Sequence, residues 1–471
     1  MTKITNNFCG YLNVGDDTFA YNVINHVVTL LPTQIEQVKR NEVLDRIKSR
    51  DIDSPEYLFG VADNNYRIAM LRNGKFNSDI FGSNPSIQFG TPVIIKASGN
   101  SARFFSMLTA EWNNFHSITC CGGNINALCN PIIAVERPIS NKYKKKNYDG
   151  AREIKIRPWD DYTRSVDFVL DGEKATLTIS VSQTGDANDS EDMESYSLGK
   201  LNSFIRLSFE NAQGPDKIVK YYGIVKSLIA ILTTRNNIFF EVYLSQRNSD
   251  NQYFQTGVCK VIDHYENYST RKMDKVVPIY NILDCVPRLI EKIANSEVEP
   301  LLALLPEDNK RAKQISITNV QDLCTALEVA YEWSKSRKDK DPLIVELKKQ
   351  IKKTINEFSQ THDEIDVYKE TTISSAFQYL DYTLKQKILT MYNENCDAVD
   401  AIILKWSLPQ VDEVNIGSFV KLRNSKTHSG IIEWGDSANL YTAFLALVYA
   451  CFFRYIGLSN EVIKSALLQI F

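Results

Sequence analysis

Near the end of the 471-residue chain, Arg423-Asn424-Ser425-Lys426-Thr427-His428 sets a guanidinium and an imidazole five positions apart. Arginine is permanently cationic and presents a planar fork of donors that matches phosphate oxygens, while histidine titrates near neutrality and can pass a proton to or from a hydroxyl. Together they are the minimum for cutting RNA without a metal. The 2′-hydroxyl attacks its own phosphate, the arginine stabilises the charge on the equatorial oxygens, and the histidine serves as base or acid. The products carry a 2′,3′-cyclic phosphate and a 5′-hydroxyl; DNA, lacking the 2′-hydroxyl, cannot react this way. Asn424 offers an amide that can orient either partner. The same residues also read as a helix C-terminus, with Arg423, Lys426 and His428 complementing the dipole ahead of Gly430. On a straight α-helix five residues turn through about 140°. A working site therefore needs a helix end, a kink or a second subunit.

Other chemistries lack their signatures. There is no GxxxxGK[ST] loop, GxGxxG after a strand, HExxH or GxSxG. Cys120, Cys121 and Cys129 share one stretch but have no CxxC pair or histidine pair to complete a zinc site. GDANDSEDMESY (185–196) carries five carboxylates out of EF-hand order and reads as a solvated loop. Of the remaining histidines, His26 lies in a strand-like apolar run, His362 in a charged interhelical loop, and His116 and His264 among aromatic and polar neighbours. No metal or other cofactor is expected.

The elements that must position the motif change character along the chain. In the first 300 residues alternation dominates. SVDFVLDGEKATLTISV (165–181) reads as a hairpin about Asp171-Gly172, and 90–98, 130–138, 204–210 and 237–245 read as strands. Segment 218–232 reads as a helix packed on the sheet. Beyond Pro287 the spacing predicts helices near 283–305, 317–336, 342–360, 372–395, 415–427 and 437–456, with a last short one to Phe471. The expected fold class is α+β, a β-rich mixed region over 1–295 followed by an all-α bundle over 296–471. The uncharged stretch 437–453 is too short to span hydrocarbon and reads as a buried helix or a subunit interface.

Composition bounds the partners. Lys plus Arg number 54 against 57 Asp plus Glu, a formal charge of -3, so no global field draws the chain onto nucleic acid or anionic lipid. Any polyanion site must be local. NKYKKKNYDGAREIKIR (141–157), with Lys144, Lys145 and Lys146 between Tyr143 and Tyr148, combines phosphate pairing with stacking, and equally suits a solvated loop. Lys421 and Lys426 add charge beside the motif; 335–342 and 348–353 read as a solvated basic helix face. Nine irregularly spaced cysteines and no leader-like N-terminus predict a cytoplasmic protein.

An Arg-Asn-x-x-x-His sequence after a helix, in a C-terminal helical region and ahead of a long apolar helix, resembles the HEPN family of ribonucleases and RNA-binding domains. MLTAEWNNFHSIT and KIVKYYGIVKSLIAILTTRNNIFFEVYLSQ look like the N-terminal domain of ApeA-type HEPN proteins. The resemblance implies a bundle that dimerises, with two motifs around one cleft and Arg423, Asn424 and His428 as catalytic residues. It further implies cleavage of RNA, transfer RNA included, in abortive anti-phage defence, with an N-terminal region that senses a phage-derived trigger or restrains the nuclease. The rivals are a HEPN module that binds RNA or a nucleotide without cutting, and a helical interaction scaffold.

Overall fold

Alternating apolar residues carry the first half of the chain into antiparallel strands. In the computed structural model the described residues are 4, 7–33, 36–48, 56–79, 85–136, 155–184, 200–248, 250, 252–263, 275–307, 314–335, 342–361, 382–428 and 437–471. Two compact units result. The first comprises 1–229, 237–268 and 278–280, and the second 230–236, 269–277 and 281–471. The sequence-based division at 295/296 thus falls inside the second unit.

In the first unit, β1 (Phe8–Val14), β2 (Asp17–Ile24) and β3 (Val27–Pro32) form a meander, followed by α1 (Gln37–Lys48), β4 (Glu56–Ala62), β5 (Arg67–Asp79) and β6 (Ser86–Ala97). The order β6-β3-β2-β1-β4-β5 closes on itself because β5 pairs back with β6, giving a six-stranded antiparallel barrel. Inward residues such as Leu12, Phe19, Leu30 and Ile68 fill it together with Val43, Leu44 and Ile47 of α1. Closure leaves the barrel no free edge. His26 belongs to the β2–β3 turn, not to a strand: Asn25 and His26 have φ of 48° and 70°, the left-handed pair that a two-residue hairpin turn requires.

The β6 strand changes partner along one edge. Residues 87–90 pair with β3 and 93–97 with β14. Pro92, which has no N–H to donate, sits at the change. From there an open sheet runs outward through β14 (Tyr253–Val261), β13 (Glu241–Arg247), β7 (Phe115–Cys121), β12 (Lys200–Gln213), β11 (Glu173–Thr184) and β10 (Arg164–Leu170). The expected hairpin is β10–β11, turning at Asp171 and Gly172 with φ of 55° and 80°. The expected helix is α2 (Ile218–Thr233), whose Tyr221 stacks on Phe209 of β12 with ring centroids 4.7 Å apart.

Two strand expectations are corrected. In 130–138, described as far as residue 136, the Asn130 side chain accepts from the Ile132 N–H at 3.1 Å and starts a helical turn over Pro131–Ala134, followed by β8 (Val135–Glu136), paired with β9 (Lys155–Ile156). In 237–245 the strand begins at Glu241. Ahead of it the Phe239 backbone is held by Asn124, whose Oδ1 accepts from the Phe239 N–H at 2.8 Å and whose own N–H donates to the Phe239 carbonyl at 3.0 Å. Gly123 is required there: a Cβ would lie 2.0 Å from the Phe239 carbonyl oxygen.

The second unit is helical: α3 (Val286–Ala294), α4 (Ile317–Trp333), α5 (Pro342–Thr361), α6 (Leu384–Trp406), α7 (Glu413–His428), α8 (Ser437–Tyr455) and α9 (Asn460–Ile470). The helix expected over 283–305 breaks after α3, where Ser296 turns left-handed with φ of 58°. The one expected over 372–395 is described only from residue 382. Its start is a capping box in which Thr383 accepts from the Gln386 N–H and Gln386 accepts from the Thr383 N–H, and it runs on to Trp406. Apolar α8 packs against α4, α6, α7 and α9, with Phe444, Leu447, Phe452 and Phe453 fully buried, so of its two expected roles it fills the core. No helix among the described residues is long and apolar enough to cross a membrane.

Candidate functional site

The α7 helix begins where the Asp412 carboxylate accepts from the Val414 and Asn415 N–H groups at 2.9 and 2.8 Å, capping the first turn. Ile416, Phe419 and Leu422 form its buried stripe, and Phe419 meets Phe444 of α8 edge to face at 4.7 Å. That contact sets the rotation of the helix. Arg423, one turn beyond Phe419, therefore emerges at the rim of the stripe, with 37% of its side chain exposed. There its Nη1 donates to Glu328 Oε1 of α4 at 3.1 Å, in an ion pair whose carboxylate is 43% exposed. Cys324 lies one turn before Glu328. Burial pushes its thiol up to about 11, against the downward pull of the Arg423 charge.

The helix continues through residue 428. Along one straight helix, positions 428 and 421 lie about 140° and about 160° round from 423 in the same sense, within about 20° of each other. One chain thus sets positions 421 and 428 on one face of the helix and Arg423 on the opposite side. Lys421 is exposed, with its charge directed away from the Arg423 side. The side chains of Asn424, Lys426 and His428 lie outside the described residues, as do Lys144, Lys145 and Lys146.

The other sequence candidates separate clearly. His116 on β7 accepts at Nδ1 from the Arg247 N–H at 3.3 Å; burial, and then the Arg247 charge, hold its pKa below the ordinary imidazole value. His264, His362 and 185–196 lie outside the described residues. Cys120 and Cys121 are consecutive on β7 and so point to opposite faces, while Cys129 Sγ lies 3.0 Å from the Tyr280 hydroxyl. Among the described residues no three His, Cys, Asp or Glu side chains are grouped to hold a metal ion. Of the basic segment 348–353, on α5, Lys349 and Lys353 are exposed, the latter 3.6 Å from Glu357.

Glu328 is the residue that sequence reasoning missed. Its separation of 95 positions from Arg423 leaves no local signal, and it becomes visible only because α4 and α7 pack together. The chain matches no family model, no curated protein and no solved structure, so Arg423, its carboxylate partner and the helix that carries position 428 are what a functional reading must use.

Proposed function

We propose that the protein is a metal-independent endoribonuclease of the HEPN kind, cytoplasmic, with a strand-rich N-terminal region that senses a trigger or restrains the nuclease during phage infection. The observation that carries the reading is Arg423, a half-exposed guanidinium at the rim of a buried helix stripe, on a helix that runs on to position 428.

In this reaction the 2′-hydroxyl oxygen bonds to the adjacent phosphorus and the bond to the 5′-oxygen breaks. His428 of one copy takes the 2′ proton and His428 of a second copy gives a proton to the departing 5′-oxygen. Arg423 neutralises the equatorial oxygens, and Asn424 orients the imidazole by hydrogen bonding. A homodimer answers the angular spread within one helix, because two copies of α7 facing each other place one chain's arginine near the other chain's histidine. Glu328 keeps the guanidinium in place without RNA and yields it to a phosphate that offers two oxygens to the same fork.

Incubation of the full chain with total RNA, transfer RNA included, tests this directly. The expected fragments end in 2′,3′-cyclic phosphate and 5′-hydroxyl, form in EDTA, and fall by about a hundredfold or more with His428→Ala or Arg423→Ala at unchanged dimer size. Inhibition by EDTA would overturn the proton-transfer scheme. The Arg423–Glu328 ion pair favours a second reading, a helical scaffold in which the arginine ties α7 to α4. That scaffold neither cuts nor binds RNA, whereas a non-catalytic HEPN module binds RNA, or a nucleotide, without cutting.

A further inference from the structure

Outside the helical unit, the outer wall of the barrel carries a cavity of about 610 Å³. Its floor is the outward side of β1, β4 and β5. Leu12, Leu58 and Ile68 point into the barrel, so Asn13, Phe59, Val61 and Arg67 point out, with Val61 directly opposite Arg67. Phe105, Leu108 and residues 110–113 also line the cavity.

The 109–114 segment is deliberately held. Gln246, 0% exposed on β13, accepts from the Thr109 and Ala110 N–H groups at 3.2 Å each and donates to the Glu111 and Asn114 carbonyls at 2.6 and 3.0 Å. One buried amide thus holds the backbone of four residues, 109–111 and 114, in a segment with no regular structure. Such anchoring gives a loop the fixed shape that a binding site needs.

Asn13 on the cavity accepts from the Thr18 hydroxyl at 3.1 Å, and other polar groups there are left open. The Arg67 guanidinium lies 3.9 Å over the Phe105 ring, an arrangement that keeps its N–H edge available, and it has no carboxylate partner among the described residues. Glu111 likewise forms no ion pair among them. Asn113 is 3% exposed, and its side chain makes no hydrogen bond to the described residues. Phe59 presents 44% of its surface, a ring free for stacking.

We propose that this cavity binds a purine nucleotide. The flat base stacks on Phe59, its N–H groups donate to the Glu111 carboxylate, its ring acceptors take the Asn113 amide, and the phosphate pairs with Arg67. Simpler ligands use only part of this set. A fatty chain would strand Glu111 and Arg67, a cation would meet the guanidinium, and inorganic phosphate would leave the aromatic ring and Asn113 unused. The volume falls within the range of small-molecule sites.

Calorimetric titration of the full chain with GMP and AMP tests the assignment, with guanosine, ribose 5-phosphate and inorganic phosphate as controls. Saturable binding of a purine nucleotide is expected, with both phosphate controls weaker by about tenfold or more. Arg67→Ala should lower nucleotide affinity to that of the nucleoside, and Phe59→Ala should weaken both. Both residues are exposed, so folding should survive; Arg67→Lys, which keeps the charge without the fork, serves should the alanine variant fail to fold, and should weaken the nucleotide selectively. No binding at about 1 mM nucleotide, or binding that neither variant changes, overturns the site. The readout needs no RNA cleavage, so its failure and that of the ribonuclease reading are independent.

Discussion

The strand unit and the helical unit both bury polar side chains, but to different ends. In the strand unit Gln246 gives its amide to the backbone of an irregular wall, residues 109–114. In the helical unit Asn395, 2% exposed on α6, accepts from Arg454 Nε of α8 at 3.0 Å and donates to the Met391 carbonyl at 2.9 Å. Arg454 also lies 3.5 Å from Glu394, and the Ser334 hydroxyl beyond α4 donates to the same carboxylate. That cluster ties helix to helix. The strand unit instead leaves polar groups facing a cavity. Polar burial that ends in helix packing serves register, whereas polar burial that shapes a loop serves whatever the loop surrounds.

The contrast can be attacked first through the helical core. Phe452→Ala in α8, at a fully buried position, should cost about 3–5 kcal/mol in urea unfolding, because ring contacts vanish and a void remains. A loss under about 1 kcal/mol would mean that polar locks, not α8, hold the helices. Gln246→Leu keeps roughly the volume but removes the bonds to the Thr109 and Ala110 N–H groups and to the Asn114 carbonyl, while the Glu111 carbonyl keeps the Asn114 N–H, and should cost about 2–3 kcal/mol with faster amide exchange at 109–114. Unchanged exchange there would remove the distinction between the units.

Smaller effects sharpen the comparison. His116 has a folded pKa below 6.5, lowered by burial and then by Arg247, so the unfolded chain binds its proton first as the pH falls. Its contribution to stability is complete above pH 6.5 and lost as the pH falls from there through the lower folded value. His116→Gln retains an acceptor for the Arg247 N–H without titrating; its urea midpoint should therefore drop less than wild type between about pH 7.5 and pH 5.5. Equal drops would show that the Arg247 contact tolerates protonation. Least of all, Glu328→Gln should shift stability by under about 0.5 kcal/mol, since both partners are well exposed, while tightening RNA binding if the carboxylate competes with phosphate. Weaker RNA binding would instead make Glu328 a positioning residue for Arg423.

Much of the local architecture was legible before any coordinates. Alternation about Asp171-Gly172 marked β10 and β11, three-and-four spacing marked α2, and the unbroken apolar run marked α8. The misreadings are equally physical. The apolar residues of 130–138 look strand-like, yet the Asn130 cap and Pro131 turn the chain; the apolar spacing of 283–305 hides the left-handed Ser296. For the candidate site, residue types and spacing alone point to Arg423, its chemistry and the angular spread of the motif, while Glu328 emerged from packing.

Local pattern determined which segments are strands and helices and where charge and imidazole stand along the chain, because turn chemistry, capping and side-chain period act over a few residues. Tertiary structure alone decided that β5 closes on β6, that Arg423 meets Glu328, and that Gln246 reaches a loop more than 130 positions away. Each of those contacts joins segments whose own patterns are already satisfied, so their pairing depends on which surfaces the whole chain must bury together.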